Sequence, residues 1–152
     1  MSIIVWDGKT LASDRAMWIC NIKHKVQKIH KIEFPGIQGS YLIGGIGTAA
    51  FVSAGFKYFR SGFQTEFKPD YKEYDDIKAS EYYFIVINET REIFFYDGKF
   101  NSFCILDEKI ALGGASEVAI GALDAGATAR EAVEICIRRT DYAGLGVDEI
   151  SF

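Results

Sequence analysis

Residues 1–15 read MSIIVWDGKTLASDR, and the way this stretch folds decides where the rest of the chain can go. Ile3-Ile4-Val5-Trp6 is a β-branched and aromatic run, and Asp7-Gly8 is the dipeptide that most strongly marks a tight hairpin. Leu11-Ala12 then returns as a second strand, with Asp14 falling just beyond it. Ser2 stands directly behind the initiator methionine. Once Met1 is removed, the serine hydroxyl has its own α-amine as a neighbour, a group whose ordinary pKa of about 7.7–8 lets it accept a proton near neutral pH. Serine is small enough to permit that removal. The plainer reading of a serine here is a frayed terminus.

Working outward, residues 23–34 (KHKVQKIHKIEF) mix lysines with β-branched residues and read as one strand. The turn pair Pro35-Gly36 stops it before the apolar strand YLIGGIG, residues 41–47. The run TAAFVSAGFKYF that follows places Ala, Phe and Val at helical spacing behind Thr48, a suitable N-cap, so a strand ends where a helix starts. Residues 65–83 are acidic and aperiodic, which predicts a loop with a short second helix and a solvated charged face. Strand patterns resume over Tyr83 to Ile87, Glu92 to Tyr96 and Lys99 to Leu106, the last two joined by Asp97-Gly98. The segment IALGGASEVAIGALDAG, residues 110–126, passes from a short strand through glycines into an Ala-rich helix whose start Ser116 is expected to cap. A second helix follows behind a Thr128/Glu131 capping box. Gly144-Leu145-Gly146 is a turn, and VDEISF, residues 147–152, alternates as a terminal strand. This order predicts an α+β chain forming one domain over residues 1–152, two antiparallel sheets held between two helical layers.

The bulk properties narrow the function. With 152 residues, 49% of them hydrophobic, the chain can build an ordinary core. No stretch reaches the roughly 20 apolar residues of a membrane span, and the N-terminus lacks the basic-then-apolar plan of a signal peptide, so a cytoplasmic location and no membrane partner are expected. A net charge of −4 argues against nucleic acid as the main partner. Cys20, Cys104 and Cys136 match neither a disulfide framework nor zinc spacing, and read as buried, inert thiols. No phosphate loop, metal cluster or dinucleotide fingerprint is present, so no cofactor is expected. His24 and His30 lie among lysines and read as surface or edge residues. The aromatic residues between Phe51 and Phe103 read mostly as core, and partly as a subunit surface.

A serine nucleophile needs help. A nearby lysine keeps the terminal amine neutral by like-charge repulsion and lowers the hydroxyl pKa, and it needs a carboxylate to hold it. Lys28 and Asp14 are candidates for that pair. The backbone amide of Gly47, at the strand-to-helix junction, suits an oxyanion because a helix N-terminus presents unpaired N–H groups.

Five blocks, SIIVWDGKTLASDRA (2–16), VQKIHKI (26–32), YLIGGIGTAA (41–50), ALGGASEVAIGALDAG (111–126) and DYAGLGVDEISF (141–152), resemble in order and spacing those of proteasome β-type subunits and of the peptidase subunit of the bacterial ATP-dependent two-component protease. The resemblance covers nearly the whole chain apart from residues 57–81. It implies an N-terminal-nucleophile hydrolase with a four-layer αββα fold, an endopeptidase acting on peptides or unfolded proteins. By the same resemblance Ser2 is the nucleophile, Asp14 and Lys28 are the charged pair, and Gly47 is the oxyanion glycine. Lys25 is the alternative lysine, while Lys23 and Lys31 read as surface charge, lysine being a common guard of edge strands. Exposure of Ser2 is expected from methionine removal rather than self-cleavage. A homo-oligomeric ring and an ATP-driven unfoldase partner are implied as well.

Two positions depart from the pattern. Gly114 stands where many relatives carry serine, and Thr140 where they carry aspartate, with Asp141 one residue late. These departures support a second reading, a non-catalytic structural or assembly protein that keeps the fold. Retention of Ser2, Asp14 and Lys28 together supports catalysis.

Overall fold

The computed structural model describes residues 2–34, 36–74 and 81–152. Met1, whose removal the sequence reading requires, lies outside the described residues, as do Pro35 of the expected turn and residues 75–80 of the acidic segment. Along the chain run β1 (Ile3–Trp6), β2 (Thr10–Asp14), β3 (Ala16–Ile19), β4 (Ile22–Lys25), β5 (Ile29–Glu33), β6 (Ser40–Ile46) and helix α1 (Ala49–Arg60). Two single 3-10 turns, Thr65–Phe67 and Tyr71–Glu73, stand where loop and a short helix are expected. β7 (Tyr83–Asn88), β8 (Ile93–Asp97), β9 (Ser102–Ile105), β10 (Ile110–Gly113), α2 (Ser116–Asp124), α3 (Ala129–Arg139) and β11 (Val147–Ser151) complete the described chain. The class is α+β with antiparallel sheets. Among the described residues no helix is long and apolar enough to cross a membrane.

The chain divides into two compact units, residues 1–30 with 107–152, and residues 31–106. In the first, the sheet order is β10-β1-β2-β11, and α2 and α3 pack their apolar faces on Ile3, Val5, Ala12 and Val147. The Asp7-Gly8 hairpin sets this unit. Asp7 Oδ1 accepts from the amides of Lys9 and Thr10 at 2.9 and 2.7 Å, the self-bonding that makes aspartate a turn residue. Its Oδ2 accepts from the Ala129 amide at 2.8 Å, adding a negative charge where the first turn of α3 has unpaired donors. The Thr128/Glu131 capping box forms beside it.

In the second unit the order is β5-β6-β7-β8-β9, with α1 packed on it through Phe51, Phe56 and Phe59. Phe84 of β7 is the centre of that core. Its ring meets Phe51, Phe56, Phe59 and Phe100 at centroid distances of 5.2–6.0 Å. The same ring lies over Gly45 of β6 and Gly55 of α1, where an added Cβ would come within 2.7 and 2.1 Å of ring atoms. Absence of a side chain at both positions lets helix and strand close on the aromatic ring.

Several expectations are corrected. Asp14 is not beyond β2 but ends it, paired with Val147. Residues 23–34 are not one strand: β4 belongs to a separate two-stranded ribbon with β3, and Val26 to Lys28 break the ladder before β5. Cys20 and Asn21 both take positive φ, 47° and 65°, making a two-residue turn without the usual glycine signal. Cys20 in that turn and Cys104 on β9 are exposed, and only Cys136 is buried. Ser116 is the first residue of α2, whose N-terminus has no side-chain cap. Thr48 holds the N-cap position of α1 without capping it, its hydroxyl lying 3.5 Å from that of Tyr82.

The two helical glycines separate packing from propensity. Gly121, in α2, would place a Cβ in open space, so Gly121→Ala is expected to stabilise by about 0.5–1 kcal/mol. Gly55→Ala drives into a ring that its aromatic neighbours hold in place, and is expected to cost about 1–3 kcal/mol. Denaturant midpoints of the two variants should move in opposite directions.

Candidate active site

The Asp14 carboxylate gathers four donors. Oδ1 accepts from the Ile3 amide at 3.0 Å and from Lys28 Nζ at 2.7 Å. Oδ2 accepts from the amides of Ala16 at 3.0 Å and Gly144 at 3.1 Å. These donors come from β1, β3, the turn before β11 and the segment between β4 and β5. Asp14 is fully buried and Lys28 is 5% exposed, so the ion pair sits inside the first unit rather than on its surface. Burial pushes the Lys28 pKa below the ordinary lysine value, and the charge and hydrogen bond of Asp14 oppose that shift without cancelling it.

Ser2 sits one peptide away from this pair. The Ile3 amide, which follows Ser2, shares Oδ1 with the lysine ammonium, so a single carboxylate oxygen fixes both. From the other side the Ser2 carbonyl accepts from the Gly114 amide at 3.1 Å. Gly113 makes room for this: at φ +117° it pairs with Ile3, and a Cβ there would lie 1.9 Å from the Ser2 oxygen. Ser2 itself is half-buried.

Gly47 belongs to the second unit, between the end of β6 and the N-cap of α1. It is exposed, at φ +143°, and a Cβ would lie 2.2 Å from the Tyr82 ring, so backbone and packing both require glycine. The structure thus brings Ser2, Asp14 and Lys28 together in one unit, and places Gly47 at a helix start in the other. Lys25, the alternative lysine, is exposed on β4. Thr140 caps the C-terminus of α3, its hydroxyl donating to the Cys136 carbonyl at 2.9 Å, and Asp141 is exposed. Cys136 is buried and close enough to Asp14 for burial and that charge to push its thiol up to about 11, which keeps it protonated and inert.

Sequence reasoning missed the backbone donors: the Gly144 amide on Asp14 and the Gly114 amide on Ser2. Their only trace is glycine in two of the five blocks, because a main-chain donor leaves no side-chain signature.

No protein-family model and no curated protein matches the chain. Solved structures share its fold. The BPH of Thiobacillus denitrificans aligns with a TM-score of 0.70 and 21% identity over 99% of this chain and 96% of that one, and it has also been solved in complex with epoxomicin. Eukaryotic HslV from Trypanosoma brucei aligns at a TM-score of 0.59, with 20% identity over 98% and 97% of the two chains. A Gly-1 mutant of Anbu from Hyphomicrobium sp. strain MC1 aligns at 0.75, with 12% identity over 100% and 82%. At these identities the likeness is one of fold.

The hydrogen bonding of Asp14 ranks the substitutions. Lys28→Met leaves a buried carboxylate with three amide partners and is expected to cost about 3 kcal/mol. Asp14→Asn also turns an NH2 group toward buried N–H donors and should cost at least about 4 kcal/mol, read as the larger fall in denaturant midpoint. The lowered Lys28 pKa also sets a pH dependence. Between that pKa and the ordinary value of 10.5 the unfolded chain binds more protons at this residue, so its contribution makes stability rise with pH. Tyr58, Tyr83 and Tyr96, raised by burial, act oppositely above about pH 10. The difference in stability between wild type and Lys28→Met, followed by urea unfolding from pH 7 upward, should therefore widen with pH.

Proposed function

We propose that this chain is a proteasome-like peptidase that uses Ser2, freed by removal of Met1, as an N-terminal nucleophile. The observation that carries the reading is the buried Lys28–Asp14 ion pair at 2.7 Å, whose carboxylate oxygen also holds the amide directly behind Ser2. A buried charged pair costs desolvation that an apolar pair of the same size avoids, so its placement one peptide from Ser2 points to chemistry. The fold shared with HslV and with an epoxomicin-binding BPH supports the same reading.

In this mechanism Ser2 Oγ attacks the scissile carbonyl while the Ser2 α-amine takes the hydroxyl proton and passes it to the leaving amine. The Lys28 ammonium disfavours a second positive charge on that amine and so keeps it able to accept. Asp14 orients Lys28. With its four donors in place, the carboxylate acts as a fixed charge rather than as a proton carrier. Water then attacks the acyl-enzyme, returning the serine. This assigns the chain the four-layer αββα arrangement, a cytoplasmic homo-oligomer that encloses its sites, and an ATP-driven unfoldase that supplies extended peptide. Gly114 favours the second reading, an assembly protein without activity, because it offers Ser2 an amide and no hydroxyl.

Intact mass and covalent labelling decide between them. Protein purified from cells should lack the mass of Met1, and epoxomicin or a β-lactone should add one equivalent to it and none to Ser2→Ala. Lys28→Met should label about 100-fold more slowly, the low end of what a misplaced proton acceptor costs. Wild type that has lost Met1 and takes no label would overturn the peptidase reading in favour of the assembly one.

A further inference from the structure

We propose that Met1 leaves this chain only before β1 is seated in its sheet, so the share of chains with a free Ser2 is fixed while the chain is being made. The inference rests on the reading of Ser2 as an N-terminal nucleophile. The reaction that must come first is that of a methionine aminopeptidase: water cleaves the Met1–Ser2 peptide bond, releasing free methionine and leaving the α-amine on Ser2. Such an enzyme takes the first residues of its substrate as a free, extended end, and a segment held in a fold reaches it only through local opening.

The folded chain offers no such end. β1 is an inner strand, in the order β10-β1-β2-β11, so it cannot lift away as an edge strand does. Ile3, Ile4, Val5 and Trp6 are all buried. The Ile3 amide donates to Asp14 Oδ1, and the Ser2 carbonyl accepts from the Gly114 amide. Freeing Ser2 and Ile3 breaks both bonds, one of them to a buried carboxylate, and exposes the Ile3 side chain. Together these costs lower the open population at least about 100-fold.

Chain order supplies the time in which removal works. β1 can pair with β2 as soon as the hairpin is made, but a lone hairpin is marginal in water. The other neighbour of β1 is β10, and the amide on the Ser2 carbonyl belongs to Gly114. These partners are made roughly 100 residues later, which at about 5–20 residues per second leaves a window on the order of 10 s. The terminus is therefore open through most of synthesis and closed afterwards.

The test uses the full chain, made without aminopeptidase activity so that it folds with Met1 in place. It is incubated with purified methionine aminopeptidase, and free methionine is measured by mass spectrometry. The comparison is the same chain with Ser-Gly-Gly-Gly inserted between Met1 and Ser2, which presents the same Met-Ser bond clear of the sheet. The chain without the insert should release methionine at least about 100-fold more slowly. Circular dichroism melts establish that both are folded. In cells, chains made during a pulse of aminopeptidase inhibitor should keep Met1 after wash-out, while chains made later lose it. Release within about 10-fold of the chain with the insert, or loss of Met1 from folded chains after wash-out, would each overturn the proposal. Labelling of Ser2 by epoxomicin is read on chains that have already lost Met1, so its failure sinks the peptidase reading and leaves the order of processing standing, and the converse holds.

Discussion

One carboxylate holds the first unit in register. Asp14 ends β2, and its two oxygens reach the start of β1, the start of β3, the turn before β11 and the buried Lys28. In sequence these places range from two residues away from Asp14, at Ala16, to 130, at Gly144. Each hydrogen bond to a buried charged acceptor contributes about 1.5–3 kcal/mol, and together they repay the cost of stripping water from the carboxylate. The packing of α2 and α3 on the sheet assumes that register, because a one-residue slip of a strand would turn its apolar face away from the helices.

Much of this was legible in the sequence, and the reasons differ by element. The β1–β2 hairpin was readable because Asp7-Gly8 states its turn chemistry, and α3 because Thr128 and Glu131 make a reciprocal cap. The strand-to-helix junction at Gly47 was readable from the change of period. The β3–β4 ribbon was not, since Cys20 and Asn21 reach positive φ without glycine and the lysines of residues 23–31 mask the break at Lys28. The side chains of the candidate site, Ser2, Asp14 and Lys28, could be named from the five sequence blocks. Their common dependence on Oδ1 of Asp14 could not, because it is a fact of distance. The amides of Gly114 and Gly144 were invisible for a simpler reason: every residue except proline has one.

The two units are stabilised differently. The first core is made of Ala, Val, Ile and Leu with Cys136 around α2 and α3, small side chains that let helices approach the sheet closely, and among the described residues it also holds the buried ion pair. The second relies on aromatic side chains meeting edge to face, among them Phe34, Phe51, Phe59, Phe63, Tyr74 and Phe84. Aromatic packing tolerates loss of shape poorly, since a ring that has lost one neighbour leaves a void that its flat remaining partners cannot fill.

The seat of Phe84 between Gly45 and Gly55 has a consequence for how this chain can change. Three positions on β6, β7 and α1 occupy a single volume, so none of them can gain or lose atoms alone. Alanine at Gly55 becomes acceptable once residue 84 shrinks, alanine at Gly45 only if Val52, whose Cγ1 would lie 2.8 Å from the new Cβ, gives way as well, and a smaller residue 84 leaves a hole until a glycine is filled. Single substitutions there are penalised in both directions, and the second unit crosses to a different core most readily by exchanging residue 84 together with a glycine that faces it.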